Sequence, residues 1–166
     1  MINKFLPLQT FKNVVKNSPL TALDLIIFND ENKILLGKRN NAPAKDYYFV
    51  PGGRIFKEES LSEALERISY KEICVKFKKS RAKFIGLYEH FYNDNIFNDP
   101  NISTHYIVIA VMIKLLSSEK IMPDEQNENF IFMTKKELLN SNKVHKYTKN
   151  YFCKKPSNLF LGNSLF

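Results

Sequence analysis

The sequence predicts an α+β fold, an α/β/α sandwich around a mixed β-sheet. Three observations carry this. Runs rich in β-branched and aromatic residues alternate with a few helical stretches across 166 residues, which is the pattern of a layered sheet with helices on its faces. One run, Thr104 to Leu116, is so apolar and β-branched that it reads as a central strand. Finally, a strand, a glycine pair and a charged helix follow one another without interruption in FVPGGRIFKEESLSEALERISYKEICV, Phe49 to Val75.

Taken in order, Thr10 caps a short amphipathic helix, about residues 10–17, which Asn17-Ser18-Pro19 ends. Leu20 to Phe28 is a strand, Asn29 to Asn32 a turn, and Lys33 to Arg39 the returning strand. A loop with Pro43 leads to Tyr47–Val50 and the glycine turn. Ser60 and Glu63 have capping-box spacing, and Leu61, Leu65 and Ile68 form a helical apolar stripe. Lys76 to Arg81 is a charged connection. Lys83 to Tyr92 is a strand, Asn93 to Ser103 a polar loop. Ser117 to Asn129 is a long loop, Phe130 to Met133 a strand, and Thr134 with Glu137 caps a short helix. A basic closing helix spans about 143–155 and Pro156 ends it. The expected organisation is one domain over residues 1–166, with no repeat.

Composition narrows the function. The content is 44% hydrophobic and 13% aromatic, as in soluble globular proteins. The net charge of +8 suits an anionic ligand, although most of the lysines read as a solvated surface. Cys74 and Cys153 have neither zinc spacing nor a disulfide framework, and reduced thiols in a cytoplasmic protein are expected. No run is long enough to span a membrane, and the N-terminus lacks a signal-peptide pattern.

The Phe49–Val75 stretch brings backbone carbonyls, N–H groups and carboxylates together, as a metal-bound phosphate ester requires. It resembles the Nudix box, in which a glycine, five residues, a glutamate, seven residues and Arg-Glu-apolar-x-Glu-Glu-x-Gly-apolar follow in order. Gly53, Glu59, Arg67 and Glu72 fall at their positions. Ile68, Lys71 and Cys74 depart from it, replacing two glutamates and a glycine. The further segments PLTALDLIIF, LLGKRNNAPAKDYYFVPGGR, EHFYND, THY and MPDEQ are similar to the GDP-mannose mannosyl hydrolase branch, which keeps only the last glutamate of the cluster. The resemblance covers about Phe5 to Phe152.

That resemblance implies the Nudix fold, a homodimer and one Mg2+ ion. The ion's protein ligands would be the Gly52 carbonyl, the Glu72 carboxylate and the Gln126 amide oxygen. It implies that Arg39, Arg54 and Tyr106 serve the leaving diphosphate, where guanidinium forks match phosphate oxygens. Asp24 and Lys38 would sit near the sugar and phosphate, and Phe5 and Phe11 near the base. Glu59 and Arg67 would brace the box loop as an exposed ion pair of small energetic value, while Glu58, Glu63 and Glu66 stay solvated.

Losing two carboxylates argues against a multi-metal attack on phosphorus. It suits water attack at the sugar's anomeric carbon with inversion, through an oxocarbenium-like transition state, with the nucleoside diphosphate leaving. The family's base is a histidine directly after the PDEQ glutamine, and here Asn127 stands there. Asparagine cannot take a proton at neutral pH, so slower turnover or a shifted sugar preference is expected. Possible replacements are His90, His105, Glu125 and Glu128. The expected substrate is GDP-mannose or a close relative such as GDP-glucose. The alternatives are an ordinary pyrophosphohydrolase cutting P–O–P and a non-catalytic nucleotide-sugar binder. RNA binding by Lys146, Lys149, Lys154 and Lys155 with Tyr147 and Tyr151 ranks last.

Overall fold

The computed structural model describes residues 6–40, 42–122, 130–153 and 159–160. Its strands are β1 (Leu20–Phe28), β2 (Ile34–Lys38), β3 (Tyr48–Phe49), β4 (Gly52–Arg54), β5 (Lys83–Tyr92), β6 (Thr104–Lys114), β7 (Phe130–Met133) and β8 (Leu159–Phe160). The helices are α1 (Leu8–Asn17), α2 (Leu61–Ile73), α3 (Lys135–Asn140) and α4 (Lys146–Asn150). The strands form one sheet in the order β3-β2-β1-β6-β5-β8, with β4 pairing β1 and β7 pairing β2. β1 runs parallel to β6 over its full length and the other pairs are antiparallel. The sheet is therefore mixed, and Thr104–Lys114 is central, as its composition predicts.

The two sheet faces carry separate cores. Leu23, Leu25 and Ile27 of β1 and Val111 and Ile113 of β6 pack against Ala64, Leu65, Ile68 and Ile73 of α2. On the opposite face Ala22, Ile26, Val108 and Ala110 pack against Leu138, Val144 and Tyr151 from the α3–α4 region. The period-2 alternation of β1 and β6 produces this division. A third cluster, Val15, Leu20 and Ile102 with Phe11, Val14 and Phe97, fastens α1 to the loop before β6.

Several local expectations change. α1 starts two residues earlier than its expected cap. Pro7 precedes the first turn without a side-chain cap bond, and Thr10 lies inside the helix; a proline at that end sacrifices no helical N–H. The closing helix is only five residues long, because His145 caps it through a bond from the Tyr147 N–H and Tyr151 ends it. Both expected capping boxes form, at Ser60/Glu63 and Thr134/Glu137. Leu61 is exposed rather than part of the buried stripe. Tyr147 and Tyr151 are buried, so the aromatic half of the supposed RNA-binding cluster faces the core.

Gly52-Gly53 is not a turn. It belongs to β4, paired with β1 at Asp24↔Gly52 and Leu23↔Gly53, and among the described residues no glycine has positive φ. Close approach explains the pair instead. A Cβ on Gly52 would lie 2.3 Å from Asp24 Oδ1, and one on Gly53 would lie 3.3 Å from the Ile68 side chain.

Candidate active site

A cleft of about 1040 Å³ opens beside β4. Its floor is Ala22 and Asp24 of β1 with Tyr106 and Val108 of β6; Arg39, Gly52, Arg54 and His90 surround it, and Glu66, Lys71 and Glu72 of α2 form one wall. The strand pairings explain this meeting. Asp24 faces Gly52 across β1–β4, and His90 faces Tyr106 across β5–β6.

Asp24 is the most constrained member. Tyr151 donates its hydroxyl to Asp24 Oδ2 at 2.6 Å. Burial pushes the Asp24 carboxyl up to about 6, against the opposing pull of the Tyr151 bond and the Arg39 charge. His90 Nε2 lies 3.3 Å from the same hydroxyl, and the imidazole stacks on Tyr147 with ring centres 4.1 Å apart. Burial, then the charges of His145 and Arg39, lower the His90 imidazole to about 3. His90 is thus neutral at physiological pH.

The two arginines rest on aromatic faces. Arg39 lies over Phe49 at 5.2 Å. Arg54 is flanked by Phe11 at 4.6 Å and Phe56 at 4.9 Å. Such stacking holds a guanidinium plane while leaving its N–H edge available for phosphate oxygens. Burial lowers the Arg54 pKa, with Tyr106 opposing, and burial raises that of Tyr106. Phe11 also packs edge-on against Phe97 at 5.6 Å, and Lys12 pairs with Asp99 at 2.8 Å. The N-terminal helix is in this way tied to the cleft's rim.

Glu59 and Arg67 do brace the box, but not as an exposed pair. The Glu59 side chain is only 1% exposed. Arg67 donates to both of its carboxylate oxygens at 2.6 and 2.7 Å, and to the Arg54 carbonyl at 2.9 Å. The expectation of an exposed pair fails: one partner is desolvated, so the cost lies in breaking the pair.

A hard cation takes oxygen donors, and two of the expected three fit. Pro51 O accepts from Leu25 N and Ile55 N donates to Thr21 O. Ladder alternation therefore turns the Gly52 carbonyl away from β1. Glu72 is half-buried on the cleft wall. Among the described residues no group of three or more His, Cys, Asp or Glu could hold a metal, so this donor set offers few carboxylates. Gln126 and Asn127, like Phe5, Glu125 and Glu128, lie outside the described residues.

The structure brings Asp24, Arg39, Arg54, Tyr106, His90, Phe11, Gly52 and Glu72 to one cleft. It does not bring Lys38 there: Lys38 pairs with Asp46 at 3.1 Å. Gly37 and Arg39 line the cleft and Lys38 does not. His105 likewise sits on the face opposite Tyr106, stacked on Phe91. Sequence reasoning missed Tyr151 as a partner of the site, and its only signal was an aromatic residue in a closing basic segment. It also missed Phe56 beneath Arg54 and Arg67.

Residues 19–153 match the model of the NUDIX domain. The chain is 33% identical over 147 residues to the low-salt glycan biosynthesis protein Agl8 of Haloferax volcanii, covering 88% of each. Among solved structures it resembles the MutT NUDIX hydrolase from Burkholderia pseudomallei, at TM-score 0.66 and 19% identity over 81% of this chain and 96% of that one. It also resembles the MutT protein from Methanosarcina mazei, at TM-score 0.63 and 16% identity over 82% and 92%. A third likeness is to the NUDIX domain of Shewanella oneidensis NrtR, complexed with ADP ribose, at TM-score 0.61 and 14% identity over 89% and 97%. The structural likenesses bear on the fold.

Proposed function

The chain belongs to the NUDIX domain family, and from that premise we propose that this Nudix hydrolase releases GDP and a free sugar from a GDP-sugar, GDP-mannose or a close relative such as GDP-glucose. Water attacks the anomeric carbon with inversion. One observation carries the choice of carbon over phosphorus. Ile68 stands where the Nudix box has a glutamate, and it is 1% exposed beneath the glycine pair, so no carboxylate can face the cleft from that position. Lys71, also in place of a glutamate, lines the cleft. Of the box's three clustered glutamates, the usual carboxylates for a multi-metal attack on phosphorus, only Glu72 remains.

In this reading the bond between the anomeric carbon and the diphosphate oxygen breaks, and its electron pair leaves with GDP. The water oxygen bonds to the opposite face and loses a proton to solvent or an acceptor. Arg39 and Arg54 hold the diphosphate oxygens from their aromatic seats, and Tyr106 donates to the leaving oxygen. Asp24 accepts from a sugar hydroxyl. The Gly52 carbonyl and Glu72, with Gln126, would hold one magnesium ion, which when bound neutralises charge on the departing diphosphate. Asn127 orients water without removing its proton, so turnover is slow. The similarity to a glycan biosynthesis protein is in keeping with a nucleotide-sugar substrate. The resemblance to the GDP-mannose mannosyl hydrolase branch brings a homodimer into the proposal, and the cysteine usage brings a cytoplasmic setting. Cys74 and Cys153 are unbridged, in keeping with a reducing compartment.

The test is hydrolysis of GDP-mannose in 18O-labelled water. Label in free sugar supports the reading. Label in phosphate, with GMP and sugar 1-phosphate as products, overturns it in favour of an ordinary pyrophosphohydrolase.

A further inference from the structure

We infer that Tyr151 is a positioning residue for the sugar end of the site, acting through Asp24; this rests on the carbon-attack reading above. Tyr151 closes α4 and lies 127 residues from Asp24 in sequence. Its buried ring meets Tyr88 edge-on, with centroids 4.6 Å apart, so the phenol cannot swing freely. Its oxygen lies between Asp24 Oδ2 and His90 Nε2.

The donor count then assigns the protons. A tyrosine hydroxyl has one proton and a carboxylate can only accept. The Tyr151 proton therefore belongs to the 2.6 Å bond to Asp24. His90, to bond the same oxygen, carries its proton on Nε2. The result is a directed chain, His90 to Tyr151 to Asp24.

This chain divides the labour of the carboxylate. Oδ2 is committed to Tyr151, on the core side. Oδ1 lies over Gly52, at the place where any Cβ there would collide with it. Tyr151 thus sets the carboxylate's rotation and leaves Oδ1 as the acceptor offered to a hydroxyl-bearing ligand in the cleft. Tyr151 itself does not line the cleft. It acts on the substrate at one remove.

The experiment is a double-mutant cycle on GDP-mannose hydrolysis with Tyr151→Phe and Asp24→Asn. Tyr151→Phe is expected to lower kcat/KM roughly 10- to 100-fold, the usual weight of a hydrogen bond to a charged group. GDP affinity by calorimetry should stay within about twofold, because GDP lacks the sugar that Oδ1 reads. In the Asp24→Asn background the Tyr151 change should have little further effect. Additive losses, or GDP affinity falling in step with turnover, overturn the inference. If Tyr151→Phe does not fold, 3,5-difluorotyrosine at 151 retains ring and hydroxyl. It should change the rate in the Asp24 protein and not in Asp24→Asn; equal changes in both overturn the inference. Release of GMP and sugar 1-phosphate by the unaltered protein sinks the functional reading alone, and the cycle is then read on that reaction. If nothing is turned over, it is read on the GDP-mannose dissociation constant.

Discussion

Ile68 lies directly beneath Gly53: a Cβ on the glycine would come within 3.3 Å of Ile68 Cγ1 and within 3.5 Å of its Cδ1. The side chain is a core element of the α2 face, so restoring the box glutamate by Ile68→Glu would bury a lone carboxylate. A loss of about 3–5 kcal/mol is expected, against less than about 1.5 kcal/mol for Ile68→Leu. Urea denaturation of the two variants in chelator checks this.

Arg67→Ala removes the partner of a carboxylate that cannot reach water. Stability should fall by about 3–5 kcal/mol, since the desolvated Glu59 loses the guanidinium that balances its charge. The pair Glu59→Gln with Arg67→Met should recover much of that loss. Recovery absent in the double variant would contradict the assignment of the cost to the unbalanced charge of Glu59.

Asp24 works against folding at neutral pH. Its folded pKa of about 6 exceeds the ordinary aspartate value of 3.8, so between these values the folded state binds more protons than the unfolded. Its contribution is therefore most favourable below about pH 4 and is lost as pH rises through about 6. Asp24→Asn should stabilise the metal-free protein by about 2–3 kcal/mol at pH 7.5, with the gain vanishing near pH 4, while activity falls. Paired denaturation curves across that range measure the difference.

Cys74 ends α2 with φ at 59°, in the left-handed region. The Nudix box has glycine there, which reaches that conformation without a Cβ penalty. Cys74→Gly is expected to stabilise the fold by about 0.5–1 kcal/mol, and a shift of the thermal midpoint upward would register it.

Asn127→His supplies the missing base. A general base contributes roughly 10²–10⁴-fold, so turnover of GDP-mannose should rise by at least about tenfold, with a new dependence on pH near the imidazole's ordinary range. An unchanged rate would count against this placement of the base.

Much of the fold was legible because its signals are local. β5 and β7 begin and end where their composition predicts, and both capping boxes form from adjacent residues. The lining of the candidate cleft was legible where a motif carried it, as for Arg54, Gly52 and Glu72. What escaped depends on pairing and burial. Nothing in the spacing of Lys38 distinguishes it from Arg39; only the folded chain shows Lys38 turned to Asp46 and Arg39 in the cleft. Nothing local marks Glu59 as desolvated. Tyr151 meets Asp24 only after the last helix has folded back across the sheet, a contact no window of sequence contains. The glycine pair looked like a turn because two glycines usually supply positive φ, whereas here they make room for Asp24 and Ile68.

The parallel union of β1 with β6 has a consequence for biosynthesis. Leu20 finds Tyr106 and Phe28 finds Lys114, so the first long strand emerges from the ribosome well before its central partner is translated. Such distant pairings are slow to close, and an apolar β1 edge waits open meanwhile. A nascent chain halted before residue 104 would expose that edge to chaperones, and without β6 the floor of the cleft is missing.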